Sequence, residues 1–232
     1  MNISIFYDGS NESEILYHNI NTNIVSGFTT NPSLMRQAKV LNYATFISSL
    51  TKKVKHKPIS FEVCSDDICE MKTQAIRIAS YGSNIYVKIP ITNTKNISTK
   101  SLVKELLDKN IMVNITAVMT QKQLEDVLPF VENQTPAIIS IFAGRMCDAG
   151  IHPKNLIDFA KKNSPKNTKI LWASTREVYN IYEANDLGCD IITVNQPLLE
   201  KFINLQNKDL DEYSLDTVKM FYTDAVHSNY TI

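Results

Sequence analysis

Glycine is scarce in this chain: there are six among 232 residues, and none falls in a G-x-G-x-x-G or a G-x-x-x-x-G-K-[ST] pattern. Loops that cradle nucleotide phosphates need such glycines for close backbone approach, so those binding modes are excluded. Cysteine is equally sparse. Cys64, Cys69, Cys147 and Cys189 form no C-x-x-C pair and have no histidine at metal-ligand spacing. No metal site is therefore expected, and the thiols are expected to be reduced and mostly buried. Neither sign of charge is in excess, because 24 acidic side chains balance 24 basic ones. That leaves no field to attract nucleic acid or an anionic membrane. Long apolar runs are missing too, and the opening MNISIFYDGS has no basic lead. Neither a signal peptide nor a membrane span is expected, and the chain reads as a soluble cytoplasmic protein without a membrane or nucleic-acid partner.

What the chain does have is repetition. Short apolar runs recur at 3–8, 24–30, 59–63, 85–91, 112–118, 137–143, 169–174 and 190–195. They are rich in β-branched residues and nearly continuous in apolar character, as strands of a parallel sheet are when both faces are covered. Helical patterns fill the intervals. Ile68, Met71, Ala75 and Ile78 form one stripe, and Leu102, Val103, Leu106 and Leu107 form another ahead of a stop at Asn110. A helix over 175–187 is expected to close at Gly188, and Pro32 and Pro197 stand where a first helical turn tolerates a missing N–H. Eight strand–helix units fit an open doubly wound sheet or a closed barrel. Their even spacing and the chain length favour a single (β/α)₈ TIM barrel over residues 1–207. Residues 208–232 follow the last unit with a stripe of Leu215, Val218, Tyr222 and Ala225. This extra C-terminal helix either docks on its own barrel or packs against a neighbouring subunit.

In such a barrel, polar side chains at the C-terminal ends of strands face the site. The runs supply Asp8, Thr29 with Asn31, Glu62, Lys88, Asn114 with Thr116, Ser140 with Arg145, Ser174 with Arg176, and Thr193 with Asn195. Lys88 interrupts the apolar Tyr86-Val87-Lys88-Ile89-Pro90. It is either a nucleophilic amine facing the barrel interior or an outer-face lysine whose head reaches water. Glu62, between Phe61 and Val63, is either a site carboxylate or a strand-end acid paired with a lysine. Asp8, ahead of Gly9 and Ser10, suits a site or a turn. Only four arginines stand against twenty lysines, and two of them follow consecutive runs. Arg145 and Arg176 suit bidentate phosphate contact, or else surface pairs: Arg145 with Asp148, and Arg176 with Glu177 or Glu183. His18, His56, His152 and His227 fall in helix or loop contexts and are assigned no chemistry.

Taken together, Thr29-Thr30-Asn31-Pro32-Ser33-Leu34, Val87-Lys88-Ile89-Pro90-Ile91-Thr92, Asn114-Ile115-Thr116, Ser140-Ile141-Phe142-Ala143-Gly144-Arg145 and Ala173-Ser174-Thr175-Arg176 resemble the transaldolase family. The likeness is to its short-chain, fructose-6-phosphate aldolase-like branch and spans roughly residues 3 to 206. It implies a class I aldolase-like barrel without metal or organic cofactor. Lys88 would form the Schiff base with a ketose phosphate, and Asp8 would be the general base. Glu62 and Thr116 would hold the proton-shuttling water. Thr29, Asn31, Asn114, Ser140, Phe142 and Ser174 would line the sugar, and Arg145 with Arg176 would grip its phosphate. Short-chain aldolases carry Gln and Tyr where this chain has Glu62 and Phe142. Both residues here match the transferases, because phenylalanine has no hydroxyl to protonate the enamine. Two positions depart from the family pattern: Gly9-Ser10 follow Asp8, and Thr175 follows Ser174. The resemblance implies transaldolase activity in carbohydrate metabolism, the pentose phosphate pathway included, and a homo-oligomer of five or ten subunits. Two rivals are an aldolase releasing free dihydroxyacetone and a non-catalytic sugar-phosphate-binding barrel.

Overall fold

The computed structural model describes residues 1–131 and 134–228. Its first half runs β1 (Ser4–Asp8), α1 (Glu12–Asn21), β2 (Val25–Thr29), α2 (Pro32–Gln37), α3 (Tyr43–Lys53), β3 (Ile59–Glu62), α4 (Ile68–Ala79) and β4 (Ile85–Pro90). Then come α5 (Lys100–Asp108), β5 (Val113–Val118), α6 (Gln121–Val127), β6 (Ala137–Ile141), α7 (Ala143–Asp148) and α8 (Lys154–Asn163). The chain continues with β7 (Thr168–Trp172), α9 (Tyr179–Asp186), β8 (Ile191–Val194), α10 (Gln196–Leu205) and α11 (Leu210–Ser228). All eight strands pair in parallel in sequence order, and β8 closes on β1. Each apolar run of the sequence is one barrel strand. No helix among the described residues is long and apolar enough to cross a membrane.

Local chemistry sets where the helices begin. Asn31 caps α2 with Pro32 in the first turn, Asp67 caps α4, and Asn195 caps α10. Thr120 and Gln123 form a reciprocal capping box on α6. Gly188 takes φ +73° after α9, as its C-terminal position requires. That helix starts at Tyr179, later than the sequence pattern suggests. The reason is the backbone before it: Ser174 sits at φ +65°, and the Asn180 side chain accepts from the Arg176 and Glu177 N–H groups.

Apolar side chains pack in two places. The larger core lies between strands and helices and includes Phe28, Phe61 and Trp172. Trp172 therefore belongs to the packing behind the barrel wall. The smaller core fills the barrel itself with Phe6, Ile138, Leu171, Ala173 and Ile191, joined by Tyr86 and Phe142. Gly27 makes this filling possible, since a Cβ there would lie 2.6 Å from the Phe6 ring. One expectation fails. Cys64, Cys69 and Cys147 are exposed, on loop or outer helix faces, and only Cys189 is buried. In the terminal helix α11 none of the residues is buried.

The first turn of α7 rests on the end of β7. A Cβ built at Gly144 would lie 1.7 Å from the Ser174 carbonyl oxygen, and backbone on both sides leaves nothing to yield. Gly144→Ala is expected to cost about 2–3 kcal/mol through this overlap. That corresponds to a Tm lower by roughly 5–10 °C in a chain of this size. Thermal unfolding checks it, and an unchanged Tm would mean the approach is not fixed.

Candidate active site

Strand alternation puts residues i and i+2 on one face. Above the apolar filling, the inward positions nearest the C-terminal strand ends are polar. Asp8, Thr29, Asn31, Lys88, Thr116, Ser140, Phe142, Arg145, Ser174, Arg176, Thr193 and Asn195 line one cavity of about 180 Å³ at that end. A wider groove of about 590 Å³ opens at the opposite end, beside Ile85, Met112 and Pro136, and its lining has no ionisable side chain.

Lys88 is the centre of the constellation. Its residue is 6% exposed, which rules out the outer-face placement. Nζ donates to the Thr30 carbonyl at 2.9 Å and lies 3.1 Å from Glu62 Oε2. Register explains the second contact, because Glu62 and Lys88 are direct partners across β3 and β4. Tyr43 fixes that strand end by donating its hydroxyl to the Glu62 carbonyl at 2.8 Å. Glu62 is thus a lysine's partner, reaching the site through Lys88 and not lining the cavity itself.

Asp8 enters from β1. Thr29 Oγ1 donates to Asp8 Oδ1 at 2.7 Å and also meets the Thr193 hydroxyl. Burial raises the pKa of Asp8, with Lys88 and the Thr29 hydrogen bond pulling it down and Glu62 pushing it further up. Thr116 follows on β5, where its buried Oγ1 has no hydrogen-bond partner. The next residue, Ala117, sits at φ +65° where the β5–β6 register shifts.

One expected residue is placed differently. Asn114 is fully buried and absent from the cavity wall. Its amide donates to Ser60 Oγ at 3.1 Å and accepts from Ser140 Oγ at 2.7 Å, so it supports Ser140 from below. The Asn31 Oδ1 is taken by the Leu34 N–H as a helix cap. Neither arginine makes the pair expected of it on the surface. Arg176 Nη2 lies 2.6 Å from Asp148 Oδ2, and the Arg145 guanidinium stands 5.5 Å from the centre of the Phe142 ring.

Sequence reasoning missed the Thr30 carbonyl and Ser60, and it gave Thr193 no role. The inward parity of Ser60 with Glu62 and of Thr193 with Ile191 was available as a signal. A carbonyl acceptor leaves none. Among the described residues no three His, Cys, Asp or Glu side chains gather as a metal site. The arrangement offers a buried primary amine, two carboxylates of different environment, several hydroxyls, and two guanidinium groups at the rim.

The family model described as Transaldolase/Fructose-6-phosphate aldolase matches residues 5–230. A "Probable transaldolase" of Nitrosopumilus maritimus is 34% identical over 205 residues, 87% of each chain. One of Thermoplasma volcanium is 31% identical, covering 89% of this chain and 91% of the other. Among solved structures, N-acetylneuraminate lyase from Mycoplasma synoviae superposes with a TM-score of 0.55 at 11% identity, over 97% of this chain and 81% of that one. For 3-hexulose-6-phosphate synthase from Salmonella typhimurium the TM-score is 0.56 at 15% identity, with 84% and 89% covered. These two show the barrel fold alone.

The environment of Asp8 makes a prediction about stability. Its folded pKa is raised, so ionisation is penalised in the folded state relative to the unfolded chain. The penalty is fully present above the raised folded pKa and absent below the unfolded value of about 4. Asp8→Asn should therefore melt higher than the wild type near neutral pH, with the difference closing as pH falls toward the ordinary carboxylate range. Melts across pH measure this, and identical curves at neutral pH would contradict it.

Proposed function

Because the chain belongs to the transaldolase/fructose-6-phosphate aldolase family, we propose that this cavity performs transaldolase chemistry through a Schiff base on Lys88. The enzyme is a transferase, and the unit moved is the dihydroxyacetone part of fructose 6-phosphate or sedoheptulose 7-phosphate. The observation that carries the reading is a buried lysine amine, held by Thr30 and Glu62, sharing one cavity with Asp8.

Lys88 Nζ adds to the ketose C2 carbonyl, and loss of water gives the imine. Asp8 takes the proton of the C4 hydroxyl as the C3–C4 bond breaks. The aldose phosphate leaves, and the bond's electron pair stays on the enzyme as a three-carbon enamine. An acceptor aldose phosphate then receives that pair at its carbonyl carbon, and hydrolysis frees Lys88. Glu62 and Thr116 hold the water that moves protons during imine formation and breakdown; the unpartnered Thr116 hydroxyl supports this assignment. Asn31, Ser140 and Ser174 bind the dihydroxyacetone unit, with Thr29 orienting Asp8 and Asn114 backing Ser140. Arg145 and Arg176 grip the phosphate, so that binding energy far from the reacting carbon orients it. Phe142 on the wall has no hydroxyl to protonate the enamine, which favours transfer over release. Such an enzyme serves cytoplasmic carbohydrate metabolism, at the interconversion of pentose phosphates.

A homo-oligomer is the second part of the reading. α11 exposes Leu210, Tyr213, Leu215, Val218, Met220, Phe221, Tyr222 and Val226 and buries none of them. A helix of that composition needs an apolar partner, and a second subunit supplies one. Val218→Asp with Phe221→Asp should lower the sedimentation mass. An unchanged mass would remove α11 from the interface.

The Schiff base is tested by borohydride reduction with fructose 6-phosphate, followed by intact mass and peptide mapping. A reduced three-carbon adduct on Lys88 is expected, absent from Lys88→Ala. No adduct with fructose 6-phosphate, sedoheptulose 7-phosphate or dihydroxyacetone would overturn the mechanism. Adding erythrose 4-phosphate should then yield sedoheptulose 7-phosphate faster than free dihydroxyacetone appears.

A further inference from the structure

Asp148 has no part in the chemistry above, yet it touches one of the residues assigned to the phosphate. We infer that Asp148 is a positioning residue for Arg176, holding its guanidinium ready for the substrate phosphate; the inference rests on the phosphate grip proposed above.

Arg176 is held along its length. Its backbone N–H donates to Asn180 Oδ1 at 3.0 Å, and the buried Asn180 in turn donates to Glu183 Oε2 at 3.2 Å. Its stem runs over Gly144: a Cβ built there would meet Arg176 Cγ at 3.2 Å. Its head meets Asp148 at 2.6 Å. Gly144 and Asp148 both belong to α7, the helix that also carries Arg145. One short helix therefore sets the position of both guanidinium groups. Asp148 meets the guanidinium at Nη2, and a guanidinium has five N–H donors, so donors remain for phosphate.

Two effects of Asp148 oppose each other. Its charge repels an incoming phosphate and competes for Arg176, while the ion pair removes rotamer freedom that phosphate binding would otherwise have to freeze. The side chains are 47% and 53% exposed, so water and salt screen the repulsion. The same screening weakens the ion pair, but the 2.6 Å contact and the stem packed at Gly144 act together to limit where the guanidinium goes. Preorganisation therefore dominates.

The test compares wild type, Asp148→Asn, Asp148→Glu and Arg176→Ala. Each is assayed with a phosphorylated donor (fructose 6-phosphate) and an unphosphorylated one (dihydroxyacetone). Asp148→Asn should raise KM for fructose 6-phosphate about three- to tenfold with kcat moved less than about twofold. KM for dihydroxyacetone should stay, and Asp148→Glu should recover part of the loss. A KM for fructose 6-phosphate that holds or falls would show that Asp148 ignores or competes with the phosphate, and would overturn the inference. An equal rise for both donors would show a merely structural role and overturn it too. If Arg176→Ala itself leaves KM for fructose 6-phosphate unchanged, the phosphate grip by Arg176 fails and takes this inference with it. If Arg176→Ala raises KM and Asp148→Asn does not, only the inference falls.

Discussion

The structure around the site depends on how an amine is kept inside an apolar barrel. A polar group taken out of water must find partners or be expelled. Lys88 finds two, and they differ in kind. Thr30 offers a backbone carbonyl that cannot swing away, since its own N–H is bonded to the Ser60 carbonyl at 3.1 Å. Glu62 offers a carboxylate whose position is fixed by strand register. Fixing both partners in the sheet confines the amine to one place, which is what attack on a carbonyl carbon needs. Asp8 is likewise aimed by Thr29 from the neighbouring strand, and Thr29 is braced by Thr193 across the closure of the barrel. The groups proposed to react therefore sit on strands, and those proposed to bind phosphate sit just beyond strand ends.

Much of this was legible before any coordinates. A strand covered on both faces reads as a continuous apolar run, so eight such runs at even spacing described the barrel almost residue by residue. Each polar interruption near the end of a run was then a site candidate, and Lys88 and Glu62 proved to be register partners. Parity also carried Asp8, Thr29, Thr116 and Ser140 to one cavity.

What escaped the sequence has physical reasons. Backbone groups carry no residue signature, so the Thr30 carbonyl was invisible. Depth along a strand is harder to read than facing, and Asn114 lay one layer lower than expected, under Ser140. The partner of Arg176 comes from a helix on the adjacent unit, brought near by the pairing of β6 with β7. For α11, the periodic stripe announced an apolar face but could not say what the face meets. The exposed cysteines were misjudged because residue-type averages ignore which side of a helix or loop a position occupies.

The apolar filling of the barrel has a kinetic consequence. Phe6, Tyr86, Ile138, Leu171 and Ile191 close the interior beneath the polar layer, and Gly27 lets the Phe6 ring complete the plug. The cavity thus has an apolar floor. Under the proposed Schiff-base mechanism a donor tethered to Lys88 occupies this cavity of about 180 Å³, so the released aldehyde departs before an acceptor takes its place. On the proposed mechanism donor and acceptor take turns, with the three-carbon passenger held on Lys88 between them, and the closed floor adds to the double-displacement order that this covalent bond already imposes.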